Sequence, residues 1–287
     1  MEYKDLISRI KSVRNYKKDA ISSEVIQKIE SYFTKSKKLI KDIETEAMIK
    51  NKDEVYDKLK NIAGYNEKMI DAPHYLIFLS EEKDHYIENT GYVVQDIMLK
   101  AFELGVGSCW ITIHDTDVIK KKLNIKSKKK LTALIALGFD KNKKKVLYEN
   151  TSEYNPTKAQ VSIVEDNVSE RPRISDVVYM NKWGENADPD EIANLGLLEA
   201  FFYARLAPST KNRQPWRFIY DNGTVILAVR KDPSINGYES KIDTGIVMLY
   251  FELIVDGTLF DIDWKFGKPS KEYEIPSDYS IVAYCTV

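Results

Sequence analysis

The chain reads Ala207-Pro208-Ser209-Thr210-Lys211-Asn212-Arg213-Gln214-Pro215-Trp216-Arg217-Phe218 between an apolar helical pattern and a strand-like run. Its two prolines bracket small hydroxyl and amide side chains, which predicts a shaped loop between a helix and a strand. Hydroxyls, amides and free backbone N–H groups suit a polar, planar ligand that carries a phosphate. From composition alone, an ordinary connector with Trp216 in the core is an equally good interpretation.

Length and charge limit the classes of protein that the whole chain fits. Its 287 residues can bury a large core as one domain or two. The 43 Lys and Arg residues nearly balance the 44 Asp and Glu residues, so the basic surplus of a nucleic-acid binder is missing. Three lysine clusters alternate with short apolar elements, which favours solvated faces over a lysine-rich interaction module. These clusters are Lys120–Lys122, Lys128–Lys130 and Lys143–Lys145.

Cysteine and histidine usage favours a reducing compartment and no metal site. Cys109 and Cys285 lie far apart, and the 3 histidines lack metal-ligand spacing. The first residues lack the apolar run of a signal peptide. The longest apolar stretches are too short to span a bilayer. We therefore expect a cytoplasmic protein with no membrane or nucleic-acid partner.

Apolar periodicity predicts helices and strands in both halves of the chain. The segment Asn142–Glu170 is polar and irregular, which predicts a linker. In the first half we expect a helical tendency over Lys35–Asn61, strands at His74–Leu79 and Leu131–Leu137, and a helix at Thr90–Leu104. In the second half we expect helices at Ser175–Met180, Asp190–Leu206 and Ile242–Val255, and a hairpin turn at Asp221-Asn222-Gly223.

The two long predicted helices share an outline. Thr90-Gly91 and Thr244-Gly245 open them, and Phe102-Glu103-Leu104 matches Phe251-Glu252-Leu253. The order strand, long helix, strand also recurs in each half. We interpret the pattern as a diverged internal duplication, with one unit at residues 1–170 and the other at 171–287.

Three motifs resemble the FMN-dependent nitroreductase family, in the order that the family has them. The loop at 207–218 resembles the signature AP-S-x-x-N-x-QPW-x-F. The other two are Lys11-Ser12-Val13-Arg14-Asn15-Tyr16 and Leu104-Gly105-Val106-Gly107-Ser108-Cys109-Trp110-Ile111. The resemblance is to the internally duplicated, single-chain kind. It implies an α+β nitroreductase-like fold, with mostly antiparallel central sheets flanked by helices and two related halves that form a pseudo-dimer.

In this family FMN lies between two subunits, so the resemblance implies one flavin site built by both halves. The first half supplies the Ser-Val-Arg stretch and the glycine-rich turn, and the second half supplies the 207–218 loop. The counterpart of that loop in the first half is only Ser36–Ile40. We therefore expect a monomeric pseudo-dimer with one intact flavin site and one lost site.

The resemblance also implies which residues bind FMN. For the phosphate these are Lys11, Ser12, Arg14, Arg171 and Arg173, because guanidinium, ammonium and hydroxyl groups bind a dianion. The family has basic residues at both positions before the serine, whereas Ile10 stands here at one of them, and whether Arg9 substitutes is open.

For the flavin ring and ribityl chain, the resemblance implies residues from both halves. Pro208, Ser209, Thr210 and Asn212 would contact the ring edge and ribityl chain, and Trp110, Ile111 and Thr112 would lie against the ring. The backbone N–H of Thr112 would approach N5, and Lys68 would lie near N1 and O2, where a cation stabilises the reduced flavin.

The implied activity is oxidation of NADH or NADPH and reduction of a small-molecule acceptor, such as a nitroaromatic or a quinone. Hydride would pass through flavin N5 in ping-pong order, so no side chain need act as a nucleophile. The alternative is a flavin-binding or degenerate member of the family with little turnover.

Overall fold

The computed structural model describes residues 2–142, 145–150, 159–164, 170–256, 258 and 261–287. The helices are α1 (Tyr3–Arg9), α2 (Ser23–Phe33), α3 (Lys52–Leu59), α4 (Tyr86–Glu103), α5 (Thr116–Lys122), α6 (Pro189–Asn194), α7 (Leu198–Ala204) and α8 (Gly237–Val255). The strands are β1 (Thr45–Asn51), β2 (His74–Ser80), β3 (Gly107–Trp110), β4 (Lys130–Gly138), β5 (Lys145–Asn150), β6 (Ala159–Val164), β7 (Val178–Met180), β8 (Trp216–Asp221), β9 (Thr224–Arg230), β10 (Lys265–Phe266) and β11 (Tyr279–Thr286). None of the helices in these ranges is long and apolar enough to cross a membrane.

The first sheet has the strand order β1-β2-β4-β3, and all of its pairs are antiparallel. Strand β2 is buried along its whole length, and β4 is buried beyond its first residue. Both strands are covered on two faces, so their sequences are continuous apolar runs instead of alternating ones. The predicted strands at His74–Leu79 and Leu131–Leu137 are thus confirmed.

The second sheet has the order β10-β11-β9-β8-β7, in which only the pair of β7 and β8 is parallel. The predicted hairpin joins β8 to β9. Asn222 has a φ of 44° and Gly223 a φ of 77°, as a two-residue hairpin turn requires. With helices on their flanks, the two sheets confirm the α+β, mostly antiparallel architecture.

Helices α4 and α8 pack against each other through a pair of glycines. A Cβ atom on Gly91 would collide with the carbonyl oxygen of Ile242, and one on Gly245 with that of Glu88. Glycine therefore allows the two backbones to approach at both positions. One apolar core surrounds this crossing and draws on both halves, with Phe78, Trp216 and Phe251 among its fully buried members.

The structure corrects three secondary-structure predictions. Lys35–Asn61 contains β1, which pairs with β2 over its full length, and helix only from Lys52. Pairing with a buried strand outweighs the weak helical tendency of this charged segment. The helix predicted at Asp190–Leu206 is two helices, because Gly196 between α6 and α7 has a φ of 73°. Of Ser175–Met180, the last three residues lie in β7, and the first two belong to a 3-10 turn at Ile174–Asp176.

The predicted linker contains secondary structure. Strands β5 and β6 form an antiparallel pair within Asn142–Glu170. Residues 143–144, 151–158 and 165–169 of that linker lie outside the described residues. The division at residue 170 stays a prediction.

Candidate functional site

A cavity of about 710 Å³ lies among the segments that carry the three motifs. Its volume is in the range of typical cofactor and ligand sites. Both halves of the chain contribute to its walls, which combine apolar and hydrogen-bonding side chains. The first half contributes Ser12, Arg14, Gly64, Tyr65, Asn66, Lys68, Ile70 and Cys109–His114; the second contributes Pro208–Lys211, Ser234, Asn236, Tyr238, Glu239, Ile242, Asp243 and Ile246.

The Ser12–Arg14 segment runs along β3. The N–H of Val13 donates to the carbonyl oxygen of Ser108 at 2.9 Å, and Ser12 forms a parallel bridge with the same residue. A Cβ atom on Gly107 would lie 2.6 Å from Cγ2 of Val13, so glycine permits this close approach. Arg14 is exposed and forms no ion pair or hydrogen bond with any described residue. Its guanidinium is therefore available to an anion in the cavity.

Lys68 reaches the cavity from a tight turn. Gly64 has a φ of 105°, and its N–H donates to the carbonyl oxygen of Thr112 at 2.8 Å. Asn66 and Glu67 also have positive φ, at 50° and 61°. The turn ties Lys68 to the end of β3, where the ammonium group has no carboxylate partner in the described part of the chain. Arg14 and Lys68 are thus cations of the cavity without a carboxylate partner among the described residues, and so is Lys211, which donates to the carbonyl oxygen of Ser234 at 3.5 Å.

Trp110 is oriented by buried amide and hydroxyl groups on the two long helices. Its indole N–H donates to Oε1 of Gln95 at 3.3 Å, and Nε2 of Gln95 donates to the hydroxyl of Tyr250 at 2.9 Å. Gln95 and Tyr250 are both buried. This chain of hydrogen bonds couples the indole to the α4–α8 crossing.

The 208–214 loop is held by hydrogen bonds that its own side chains and α8 supply. The N–H of Gln214 donates to the hydroxyl of Ser209 at 2.8 Å, and the N–H of Thr210 donates to Asp243 at 2.9 Å. Lys211 and Asn212 both have a φ of 54°, so the loop turns through the left-handed region. Trp216 is fully buried, as expected of a core residue.

Asp243 is a buried carboxylate in the second turn of α8, with 2% of its surface exposed. Burial raises its pKa to about 7, although the hydrogen bond from Thr210 and the charge of Arg213 both oppose the rise. Burial likewise raises the pKa of the Cys109 thiol, which leaves it protonated and a poor nucleophile.

Most of the residues proposed from the sequence line the cavity, and four do not. Those that line it are Ser12, Arg14, Lys68, Trp110, Ile111, Thr112, Pro208, Ser209 and Thr210. The other four have partners elsewhere: Lys11 pairs with Asp140 at 3.2 Å, Arg171 donates to the carbonyl oxygen of Ala207 at 2.9 Å, Arg173 pairs with Asp176 at 3.1 Å, and Asn212 donates to the carbonyl oxygen of Glu170 at 3.4 Å. Arg9 pairs with Asp5 and does not line the cavity.

Sequence reasoning missed the contribution of the first turns of α8 and the segment before it. Asn236 accepts from the N–H of Glu239 at 2.8 Å and so begins the helix five residues before the expected start. Asp243 gave a usable signal, because a carboxylate next to the apolar run of a long helix needs hydrogen-bond donors where it is buried. Ser234 and Tyr238 gave no such signal, because serine is common in ordinary loops and tyrosine is common in ordinary helices.

Comparison with known proteins identifies the family. The model of the family described as "Putative TM nitroreductase" matches residues 2–255. A "putative nitroreductase" from Thermotoga maritima has a similar fold, with a TM-score of 0.59 and 16% identity over 100% of this chain and 93% of that one. No curated protein sequence matches the chain.

Other solved structures align with about half of the chain. An "FMN-dependent Nitroreductase" from Clostridium difficile has 22% identity and a TM-score of 0.40, covering 53% of this chain and 96% of that one. A "Putative NADH Oxidase" from Clostridium acetobutylicum has 23% identity and a TM-score of 0.42, covering 48% and 89%. The match over residues 2–255 shows that the chain belongs to this nitroreductase family.

Proposed function

We propose that the protein is an FMN-dependent oxidoreductase that takes hydride from NADH or NADPH and reduces a small-molecule acceptor, such as a nitroaromatic or quinone. One observation carries the proposal. A cavity large enough for a flavin has three cations, Arg14, Lys68 and Lys211, that pair with no described carboxylate. Family membership supports the same activity.

The lining chemistry fits each part of FMN. Arg14 and the Ser12 hydroxyl offer charge-assisted and neutral hydrogen bonds to a phosphate. Trp110, Ile111, Ile242 and Ile246 offer apolar surface to a planar ring. We expect Lys68 to stabilise negative charge on the reduced ring.

The 208–210 segment and Thr112 supply hydrogen-bonding groups for the ring edge and ribityl chain. The Ser209 hydroxyl accepts from Gln214 and can still donate, whereas the Thr210 hydroxyl donates to Asp243 and can still accept. The carbonyl of Thr112 is occupied by Gly64, and its N–H has no acceptor among the described residues. When bound, FMN supplies the atom that accepts and returns hydride, so the protein need only bind, orient and tune it.

A flavin-binding protein with little turnover is the second candidate. The engagement of Lys11 with Asp140 favours it, as does Ile10 at a position where the family has a basic residue. Both features leave fewer cations for the phosphate. For either candidate we propose a cytoplasmic monomer in which residues 1–170 and 171–287 form the pseudo-dimer, with no nucleic-acid or membrane partner.

The experiment is an anaerobic titration of the purified protein with FMN, followed by NADH or NADPH and then an acceptor. We expect the flavin absorption band to bleach on addition of nicotinamide and to return with a nitroaromatic or quinone. Binding of FMN without bleaching would support the second candidate. No binding of FMN at micromolar concentrations would reject both.

A further inference from the structure

Asp243 makes several contacts to the 208–214 loop at once. The N–H of Thr210 donates to its two carboxylate oxygens at 2.9 and 3.1 Å, and the Thr210 hydroxyl donates to one of them at 3.2 Å. The guanidinium of Arg213 donates to the carboxylate at 3.3 Å. The carboxylate therefore contacts the loop at two points, three residues apart.

Arg213 extends this contact to a second segment of the cavity wall. It also donates to Asp232 at 3.3 Å, and Asp232 accepts from the N–H and hydroxyl of Ser234 at 2.8 and 2.7 Å. Ser234 and Thr210 both line the cavity. The series Asp243, Arg213, Asp232 thus connects two lining segments to helix α8.

The loop needs such support because its backbone is strained. Lys211, Asn212 and Gln214 are non-glycine residues with φ of 54°, 54° and 49°. The left-handed region is unfavourable for residues with a Cβ atom and persists where the surroundings impose it. The backbone of Thr210, next to this strained turn, makes two of the contacts. Its N–H donates to the carboxylate of Asp243, and its carbonyl oxygen accepts from the guanidinium of Arg213.

We propose that Asp243 is a positioning residue of the cavity. The carboxylate of Asp243, paired with Arg213, holds the 208–214 loop in the conformation that lines the cavity before the ligand binds. This inference rests on the proposed function where it concerns FMN affinity. A loop ordered in advance lowers the entropic cost of binding, so loss of the carboxylate weakens affinity through the loop.

The test compares Asp243→Ala, Asp243→Asn and the control Asn89→Ala. Asn89 is also buried in a long helix and accepts from a loop N–H, that of Ile40, at 3.0 Å, away from the cavity. Hydrogen exchange of residues 208–214 is measured in the flavin-free proteins, and the dissociation constant for FMN is measured by fluorescence. Arg213→Gln is an additional variant in case Asp243→Ala does not fold.

We expect Asp243→Ala to expose the Thr210 amide to exchange while α8 and β8 stay protected, and to weaken FMN binding roughly 10- to 100-fold, as loss of a charge-assisted hydrogen bond does. Asn keeps an acceptor for the Thr210 N–H, so Asp243→Asn should restore much of the protection and affinity. Arg213→Gln should raise exchange in the same loop. Asn89→Ala should leave exchange at 208–214 and the FMN dissociation constant as in the wild type.

Unchanged exchange at 208–214 in both Asp243→Ala and Arg213→Gln would overturn the proposal. So would a loss of affinity that Asn89→Ala matches, because it would indicate general destabilisation. Failure of the wild-type protein to bind FMN would reject the proposed function instead, and the exchange measurement would still decide whether Asp243 positions the loop.

Discussion

The two long helices hold a neighbouring loop in the same way, but in different chemical settings. Asn89 lies two residues before Gly91 of the helix crossing, and Asp243 lies two residues before Gly245. Asn89 accepts from the N–H of Ile40 at 3.0 Å, and Asp243 accepts from that of Thr210 at 2.9 Å. The repeated contact supports the proposed duplication, because it occupies the same place relative to both glycines.

The surroundings of the two contacts have diverged. Glu239, six residues before Gly245, lines the cavity, whereas His85, six residues before Gly91, stacks on Phe266 with their ring centroids 3.7 Å apart. Asp243 has an arginine partner and lines the cavity, whereas Asn89 makes a neutral hydrogen bond and the ring of His85 on the same helix stacks on Phe266. Corresponding positions of the two long helices therefore carry different side chains with different partners.

The largest loss of stability is expected at the crossing of helices α4 and α8, where the two halves of the chain are in contact. Gly245→Ala places a methyl group against the Glu88 carbonyl and should lower the free energy of unfolding by about 3 kcal/mol, the upper part of the range for overpacking. Gly237→Ala, at the open start of α8, has no atom of the described residues within 4 Å of the added carbon and serves as the control. Urea unfolding measures both variants, and equal stabilities would contradict the tight crossing.

Asn89→Asp tests whether the position of Asn89 in α4 tolerates a carboxylate, as the corresponding position of Asp243 in α8 does. We expect a loss of about 3 kcal/mol at pH 8, because Asn89 is fully buried and pairs with no arginine among the described residues. The loss should shrink below pH 5, where the new carboxyl is protonated. Asn124→Asp, on an exposed residue, is the control. A variant as stable as wild type at pH 8 would show that charge does not distinguish the two sides.

Arg14→Ala tests the charge of the cavity directly. FMN should bind roughly 10- to 100-fold more weakly, because the phosphate loses a charge-assisted contact. Fluorescence titration gives the dissociation constants. Arg230→Ala removes an exposed arginine that pairs with Asp278 and should bind FMN as the wild type does. Equal losses in the two variants would mean that net charge, and not this site, controls affinity.

The free energy of unfolding should depend on pH through Asp243, whereas Asn89 at the corresponding position of α4 does not titrate. Burial raises the pKa of Asp243 to about 7, above the value of about 4 in an unfolded chain. Between these values the folded protein retains a proton that the unfolded chain releases, so stability falls as pH rises from about 4 to about 7. Asn at this position cannot titrate. In this pH range the free energy of unfolding of Asp243→Asn should therefore decrease less steeply than that of the wild type, by up to about 1.4 kcal/mol per pH unit. Parallel curves from urea unfolding would contradict this assignment.

The smallest effect is expected from Asn212→Ala. The side-chain amide of Asn212 points to the Glu170 carbonyl at 3.4 Å and does not line the cavity. We therefore expect FMN affinity to fall only about threefold, the lower end for a neutral hydrogen bond. A loss as large as that of Arg14→Ala would indicate that the amide turns toward the ligand.

The sequence predicted the parts of the fold that depend on the local pattern of residues. The buried strand at β4 and the Asn222-Gly223 turn follow from composition and backbone preference. Strand β1 did not, because its pairing with β2 is a contact between segments distant in the chain. Asp243 was missed for the same reason: its role depends on Thr210, 33 residues earlier.

The cavity wall draws on residues before position 115 and after position 207 of a single polypeptide. In a two-chain arrangement, such a site would empty as subunits separate at low concentration. Here the covalent connection keeps both contributors together at any dilution, so the integrity of the site should depend on folding alone.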